Sequence, residues 1–262
     1  MEAMQRYVLW ADPTPRPGWW NMAIDRTLLE RAQAGERWLR LYAWDPPCLS
    51  FGRHEPASRR YDAERIAELG LSVVRRPTGG RAVWHAGELT YAIAAPNAGL
   101  GSLREACHEI HRMLRDALAS LGAATEPAPT RRAATVDAGA CFSRPAGGEL
   151  MADSGKVVGS AQVREGAAFL QHGSILLEGD QSTVASVTRG PAPPDLSASL
   201  ARVLGRPIAR ERVAQAIAAA AAARWGPPAR RVEAPADILE GAEAHGASFR
   251  SPAWTWTGTP SA

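Results

Sequence analysis

Apolar residues recur at helical spacing in three stretches of the chain. In 20–35, WNMAIDRTLLERAQAG, the side chains of Met22, Ile24, Leu28 and Leu29 fall near one face, and Gly35 supplies a C-terminal stop. In 102–121, SLREACHEIHRMLRDALASL, the stripe is Leu103, Ala106, Cys107, Ile110, Leu114, Ala117 and Leu121, and Gly122 follows. The third stretch, RERVAQAIAAAAAAR at 210–224, ends at Gly-Pro-Pro. A shorter helix fits YDAERIAELG at 61–70.

Alternating or continuous apolar runs predict strands at 38–44, 48–53, 71–76, 81–85, 88–95, 149–152, 156–163 and 168–177. Pro46-Pro47 ends the first of these. Pro77-Thr78-Gly79-Gly80 joins 71–76 to 81–85, and a turn at Gly87 leads into 88–95. Residues 123–140 lack large apolar side chains and read as a mobile loop. From about 182 the pattern turns mostly helical, and the final SPAWTWTGTPSA reads as a tail or a short docked strand. The order of elements predicts an α+β chain of mostly antiparallel strands with flanking helices, followed by a small C-terminal helical unit.

Composition narrows the function class. The chain has 262 residues, 45% hydrophobic and 22% charged, which excludes a disordered, collagen-like or coiled-coil protein. No run approaches the ~18–20 apolar residues that span a bilayer, and the N-terminus lacks the pattern of a signal peptide. A cytoplasmic protein with no membrane partner is expected. The net charge is +3 and the arginines are spread along the chain, not gathered into a stripe, which argues against a nucleic-acid partner. Cys48, Cys107 and Cys141 are odd in number and form no CxxC pair, so neither a metal site nor a disulfide framework is expected.

Of the 30 basic residues only Lys156 is a lysine. In a chain biased toward arginine and alanine, a retained lysine marks either chance or a position that guanidinium cannot fill, because ammonium is a compact charge whose pKa can shift. Lys156 lies between glycines in GKVVGSAQ, where it is either an inward-pointing cation or a surface hairpin residue. RRPTGGRAVWH, 75–85, offers Arg75, Arg76 and Arg81 around adjacent glycines, which either let the backbone approach a ligand closely or close an ordinary hairpin. Cys141 sits in a Gly/Ala/Pro loop within reach of a substrate, and its thiolate would be a strong nucleophile if its pKa were lowered. Cys107, on a helical stripe, and Cys48, at a strand start, read as core packing. His172, inside FLQHGSILLEGD, reads as a supporting group.

Taken together these segments resemble the lipoate/biotin protein ligase superfamily. The resemblance runs in order over about residues 20–180, from Asn21-Met22-Ala23-Ile24-Asp25 through Leu49-Ser50-Phe51-Gly52-Arg53, Arg75 to Val83 with His85, and Glu88-Leu89-Thr90-Tyr91. It continues through Cys141-Phe142, Gly155 to Gln162 and Leu170 to Ile175. Gly79-Gly80-Arg81, in place of three glycines, and the Cys-Phe pair bring it closer to octanoyltransferases of the LipM type than to ATP-dependent ligases. Ala86 and Arg26 depart from acidic residues common in the family, and Ser143 to Gly148 is looser than its usual counterpart.

The resemblance implies a central mixed sheet and a catalytic core at 1–181, with a helical segment at 182–262. It also implies an acyl tunnel beside the glycine motif and no cofactor. Cys141 would carry the acyl group as a thioester supported by Lys156. Arg76, Thr78, Gly79, Gly80, Arg81, His85, Gly159, Ser160, Ala161, His172 and Gly173 would bind substrate. The implied donor is octanoyl-acyl carrier protein, and the acceptor is the lysine of an apo lipoyl domain such as glycine cleavage H protein or an E2 subunit. An amidotransferase between lipoyl domains, an ATP-dependent ligase and a non-catalytic binding relative are the alternatives.

Overall fold

The computed structural model describes residues 4, 6–98, 101–128, 149–192 and 194–259. Cys141 lies outside the described residues. The chain opens as a crossover unit: β1 (Val8–Ala11) leads through α1 (Gly18–Gln33) to β2 (Trp38–Tyr42), and the two strands pair in parallel. β6 (Glu88–Pro96) adds antiparallel to β2, then β10 (Ala168–Leu176) to β6 and β9 (Gly155–Glu165) to β10. β8 (Leu150–Ala152) and β7 (Glu126–Pro127) extend that side, while β11 (Arg230–Val232) pairs in parallel with the free edge of β1. The result is one eight-stranded mixed, largely antiparallel sheet, ordered β11-β1-β2-β6-β10-β9-β8-β7, as the sequence and its resemblance predict.

The period of the strands assigns the two faces. Along β6, Leu89, Tyr91, Ile93 and Ala95 join the core under α4 (Leu103–Ser120) and α7 (Arg210–Trp225). Ala92 and Ala94 face the opposite core, under α1 and α8 (Ala236–Arg250). A capping box between Ser102 and Glu105 fixes the start of α4.

Three short strands form a separate sheet. β3 (Cys48–Phe51) lies between β4 (Ser72–Arg75), which is parallel to it, and β5 (Val83–His85), which is antiparallel. The adjacent glycines therefore close no hairpin, because β3 separates the two strands that their loop connects. The loop instead rests on Gly52, where a Cβ would stand 1.9 Å from the Gly80 carbonyl oxygen. Gly80 itself has φ 88°, open mainly to glycine. α2 (Ala57–Arg60), α3 (Ala63–Glu68) and α5 (Ser182–Ser186) surround this sheet, and α6 (Leu200–Leu204) precedes α7.

The final segment is neither tail nor strand. Ser251 and Pro252 start α9 (Pro252–Thr257), and Gly258 at φ 74° stops it. Arg75 explains why this short helix docks. Its buried guanidinium donates to the carbonyls of Gly52, Arg53 and Glu55 at 2.7–3.0 Å, and to those of Trp254, Thr255 and Trp256 at 2.8–3.2 Å. A cation among the last carbonyls of a helix is favourably placed. Arg75 therefore ties the glycine segment to residues almost 180 positions away and is spent on the backbone. No described helix is long and apolar enough to cross a membrane.

Candidate active site

A pocket opens where the small sheet meets the α1 side of the main sheet. Its wall includes Met22 of α1, Ser50 of β3, Arg76, His85 of β5, Thr90 of β6 and Gly159 to Ala161 of β9, with His172 to Ser174 of β10. Polar residues are numerous there, yet each is held by a partner. Two carboxylates that do not line the pocket, Asp25 and Glu88, collect most of them.

Asp25, fully buried on α1, accepts from Tyr42 at 2.9 Å and from Arg40 at 3.3 Å, and lies 2.8 Å from His172 Nδ1. Burial pushes the His172 pKa below its ordinary value, outweighing the opposite pull of Asp25. The ring is therefore neutral. A carboxylate only accepts, so Nδ1 donates to Asp25, and Nε2 accepts from the Thr78 hydroxyl at 2.6 Å. This relay anchors the glycine segment to the main sheet.

A second relay is built alike. Glu88 accepts from His85 Nδ1 at 2.9 Å and also from Thr90 and Ser174. His85 Nε2 lies 2.7 Å from the Ser50 hydroxyl, which itself accepts from Arg76 at 3.0 Å. Trp44 stacks on the His85 ring, 3.9 Å between centroids and 13° from parallel, and donates to Thr90 at 2.7 Å. Arg76 spends its remaining Nη protons on the carbonyls of Ser50, Gly79 and Arg81.

On the third side, Ser160 bonds Tyr91 at 2.7 Å and His111 Nε2 at 2.9 Å, and His111 Nδ1 lies 3.2 Å from Cys107 Sγ. Burial drives the His111 pKa down to about 4 and the Cys107 thiol up to about 11. The pair is a neutral thiol and a neutral imidazole. Cys107 is thus half-buried and hydrogen-bonded to a histidine, not packed in the apolar core as its helical stripe suggests. Cys48 is buried at the start of β3, as expected.

Lys156 is no surface hairpin residue. It has no exposed surface, and Nζ lies 2.5 Å from Glu149 Oε1. Its main chain exchanges hydrogen bonds with Leu196 and Ala198 at 2.7 and 2.9 Å. Gly155 permits that approach, since a Cβ there would stand 2.5 Å from the Leu196 carbonyl. Lys156 and Ser160 share one face of β9, and the lysine's charge helps to hold His111 neutral.

Of the residues the sequence nominates, Arg76, His85, Gly159, Ser160, Ala161, His172 and Gly173 all line the pocket. Thr78 supports it through His172, while Gly79 and Arg81 contribute carbonyls to Arg76, and Gly80 seats the loop on Gly52. Lys156 lies behind this wall. Sequence reading gave no role to Asp25, Glu88, His111 or Glu149. Asp25 carried a usable signal: it stands three residues from both Met22 and Leu28, a charge on an apolar helical face. Among the described residues no group of three or more His, Cys, Asp or Glu side chains is placed to hold a metal.

Solved structures with this architecture include lipoate-protein ligases. A bipartite lipoate protein ligase from Thermoplasma acidophilum superposes with a TM-score of 0.80 at 17% identity, over 99% of each chain. Residues 17–222 match the lipoyl protein ligase A/B catalytic domain, and the chain belongs to that family. Among its relatives, an octanoyltransferase LipM from Kyrpidia tusciae is 35% identical over 256 residues, covering 90% of this chain and 93% of the relative. One of the same name from Symbiobacterium thermophilum is 35% identical over 233 residues, covering 82% and 85%.

Proposed function

We propose that this chain is an octanoyltransferase of lipoate assembly, and that the pocket holds the acyl chain. The observation that carries the reading is the match along nearly the full length of a relative named for octanoyl transfer. The pocket wall adds support: its polar groups are bonded among themselves or to carboxylates behind it, which suits a hydrocarbon occupant. The donor in this reading is octanoyl-acyl carrier protein. The Cys141 thiolate attacks the thioester carbonyl carbon, the C–S bond to the donor breaks, and the donor thiolate takes a proton as it leaves. The neutral ε-amine of an apo lipoyl-domain lysine then attacks the Cys141 thioester. Cys141 departs as thiolate, and the amine loses a proton as the amide forms.

Lys156 is assigned to the charge of this cycle. A buried ammonium favours a nearby thiolate and the oxyanion that develops at the acyl carbonyl. Donor-thioester energy makes ATP unnecessary. An archaeal relative of the fold was solved as part of a system with its E2 lipoyl domain, which supports a lipoyl-domain acceptor here. Intact-protein mass spectrometry with octanoyl-acyl carrier protein and no ATP tests the reading. An octanoyl adduct, sensitive to hydroxylamine and lost in Cys141→Ala, is expected, with transfer once an apo lipoyl domain is added. Acylation only from free acid and ATP would make the protein a ligase instead.

A further inference from the structure

We infer that Glu88, from behind the pocket wall, sets the selectivity of the pocket for an unsubstituted hydrocarbon chain over one that carries an oxo group. The inference rests on the acyl-pocket reading above.

The argument is a proton count. His85, Thr90 and Ser174 line the pocket, and each could offer a hydrogen bond to a polar ligand. All three instead aim at Glu88: His85 Nδ1 and Thr90 at Oε1, Ser174 at Oε2. As a carboxylate Glu88 only accepts, so every one of these protons points away from the lumen. Two of the hydroxyl oxygens also accept protons from the wall itself. Thr90 receives Trp44 Nε1, while Ser50 receives Arg76 and faces His85 Nε2. The wall thus keeps the protons of His85, Thr90 and Ser174 to itself. Ser50, His85 and Glu88 have the connectivity of a hydrolase triad, but Trp44 covers the imidazole and Ser50 is locked between two partners.

An oxo group on the chain only accepts, so it would be buried there facing no donor, and the loss of its hydration would go uncompensated. The selectivity therefore resides in a residue that does not touch the ligand. Glu88 is a positioning residue, and its effect passes through the direction of three donors.

Glu88→Gln tests this with little change of shape. An amide has one accepting oxygen and one donating nitrogen. Its NH2 falls opposite the side with fewest donors, which is that of Ser174. The Ser174 hydroxyl must then accept, and its own proton turns into the pocket. Binding of octanoate and of 5- and 7-oxooctanoate to the purified protein is measured by calorimetry. In the wild type the oxo acids should bind about 10–100-fold more weakly than octanoate. In Glu88→Gln the gap should shrink about tenfold for at least one oxo position. Adding Ser174→Ala to that variant should restore the gap, an outcome that general loosening of the fold would not give. If Glu88→Gln fails to fold, Glu88→Asp, which keeps the charge but falls short of one or more donors, should narrow the gap in the same direction. An unchanged gap in a folded Glu88 variant overturns the inference. Failure of the folded wild type to bind octanoate at all overturns the acyl-pocket reading, and is distinguished by that result.

Discussion

Lys156 and Glu149 meet at 2.5 Å with side chains 0% and 6% exposed, so the chain's only lysine is an interior cation matched to an interior carboxylate. Burying such a pair costs desolvation of both charges. Fold stability alone gives little reason to keep it.

Replacing Lys156 by arginine should keep the charge yet cut octanoyl transfer by about 100-fold or more, because guanidinium is larger, planar and spreads the charge that the ammonium concentrates at one atom. Single-turnover transfer to an apo lipoyl domain reads this directly. Turnover near the wild-type rate would remove Lys156 from the mechanism.

Gly173 gives a second handle, on the pocket itself. A Cβ there would stand 2.6 Å from Tyr91 Cε1, 2.7 Å from the Gly159 carbonyl and 2.8 Å from Ser160 Oγ. Gly173→Ala should push the β10 backbone away from Tyr91 and toward the lumen, or spread β9 from it, and weaken octanoate binding at least tenfold, with the thermal midpoint falling by only a few degrees. Titration of octanoate followed by calorimetry, alongside thermal melts, separates the two effects.

Acid sensitivity follows from His111. Its pKa is about 4 in the fold against 6.5 as an ordinary histidine. Between those values the unfolded chain binds a proton that the folded chain does not, so this contribution is full above pH 6.5 and is lost as pH falls toward 4. It amounts to on the order of 3 kcal/mol. Burial shifts His172 in the same direction. Cys107, raised to about 11, acts oppositely and withdraws support as pH climbs above about 9. Urea midpoints at pH 4.5 and 7 should differ clearly in the wild type and much less in His111→Gln.

Arg75→Lys should destabilise the protein by about 3 kcal/mol or more, since one ammonium cannot satisfy the six carbonyls that the guanidinium now serves. The loss should appear first as faster proteolysis near residue 251, before global unfolding in urea.

Much of the fold was legible because long periodic segments dominate it. α1, α4 and α7 follow from their stripes or alanine content, and β6, β9 and β10 from their apolar runs. α8 was not singled out. Its sequence, ADILEGAEAHGASFR, carries two glycines that read as breaks but serve packing, for a Cβ at Gly241 would stand 2.8 Å from Thr27 and one at Gly246 3.2 Å from Trp19. β1 and β11 were too short to register alone. Within the site, the glycine segment, His85 and the stretch around Ser160 announced themselves through residue type. Asp25 and Glu88 stayed silent because their importance lies in what they hold, which only a three-dimensional arrangement reveals. The pairing of β4 and β5 with β3 was hidden for a related reason: neighbours in sequence need not be neighbours in a sheet.

The pairing of β1 with β11 has a consequence for synthesis. In order of synthesis β1 acquires its outer partner only when residues 230–232 appear, and Arg75 acquires half of its acceptors only with 254–256. Throughout translation the nascent chain therefore carries an unpaired edge and an unsatisfied cation beside its glycine segment, and an unpaired edge invites misassociation. Production of the native protein thus depends on what shelters residues 8–11 until residues 230–232 have been made.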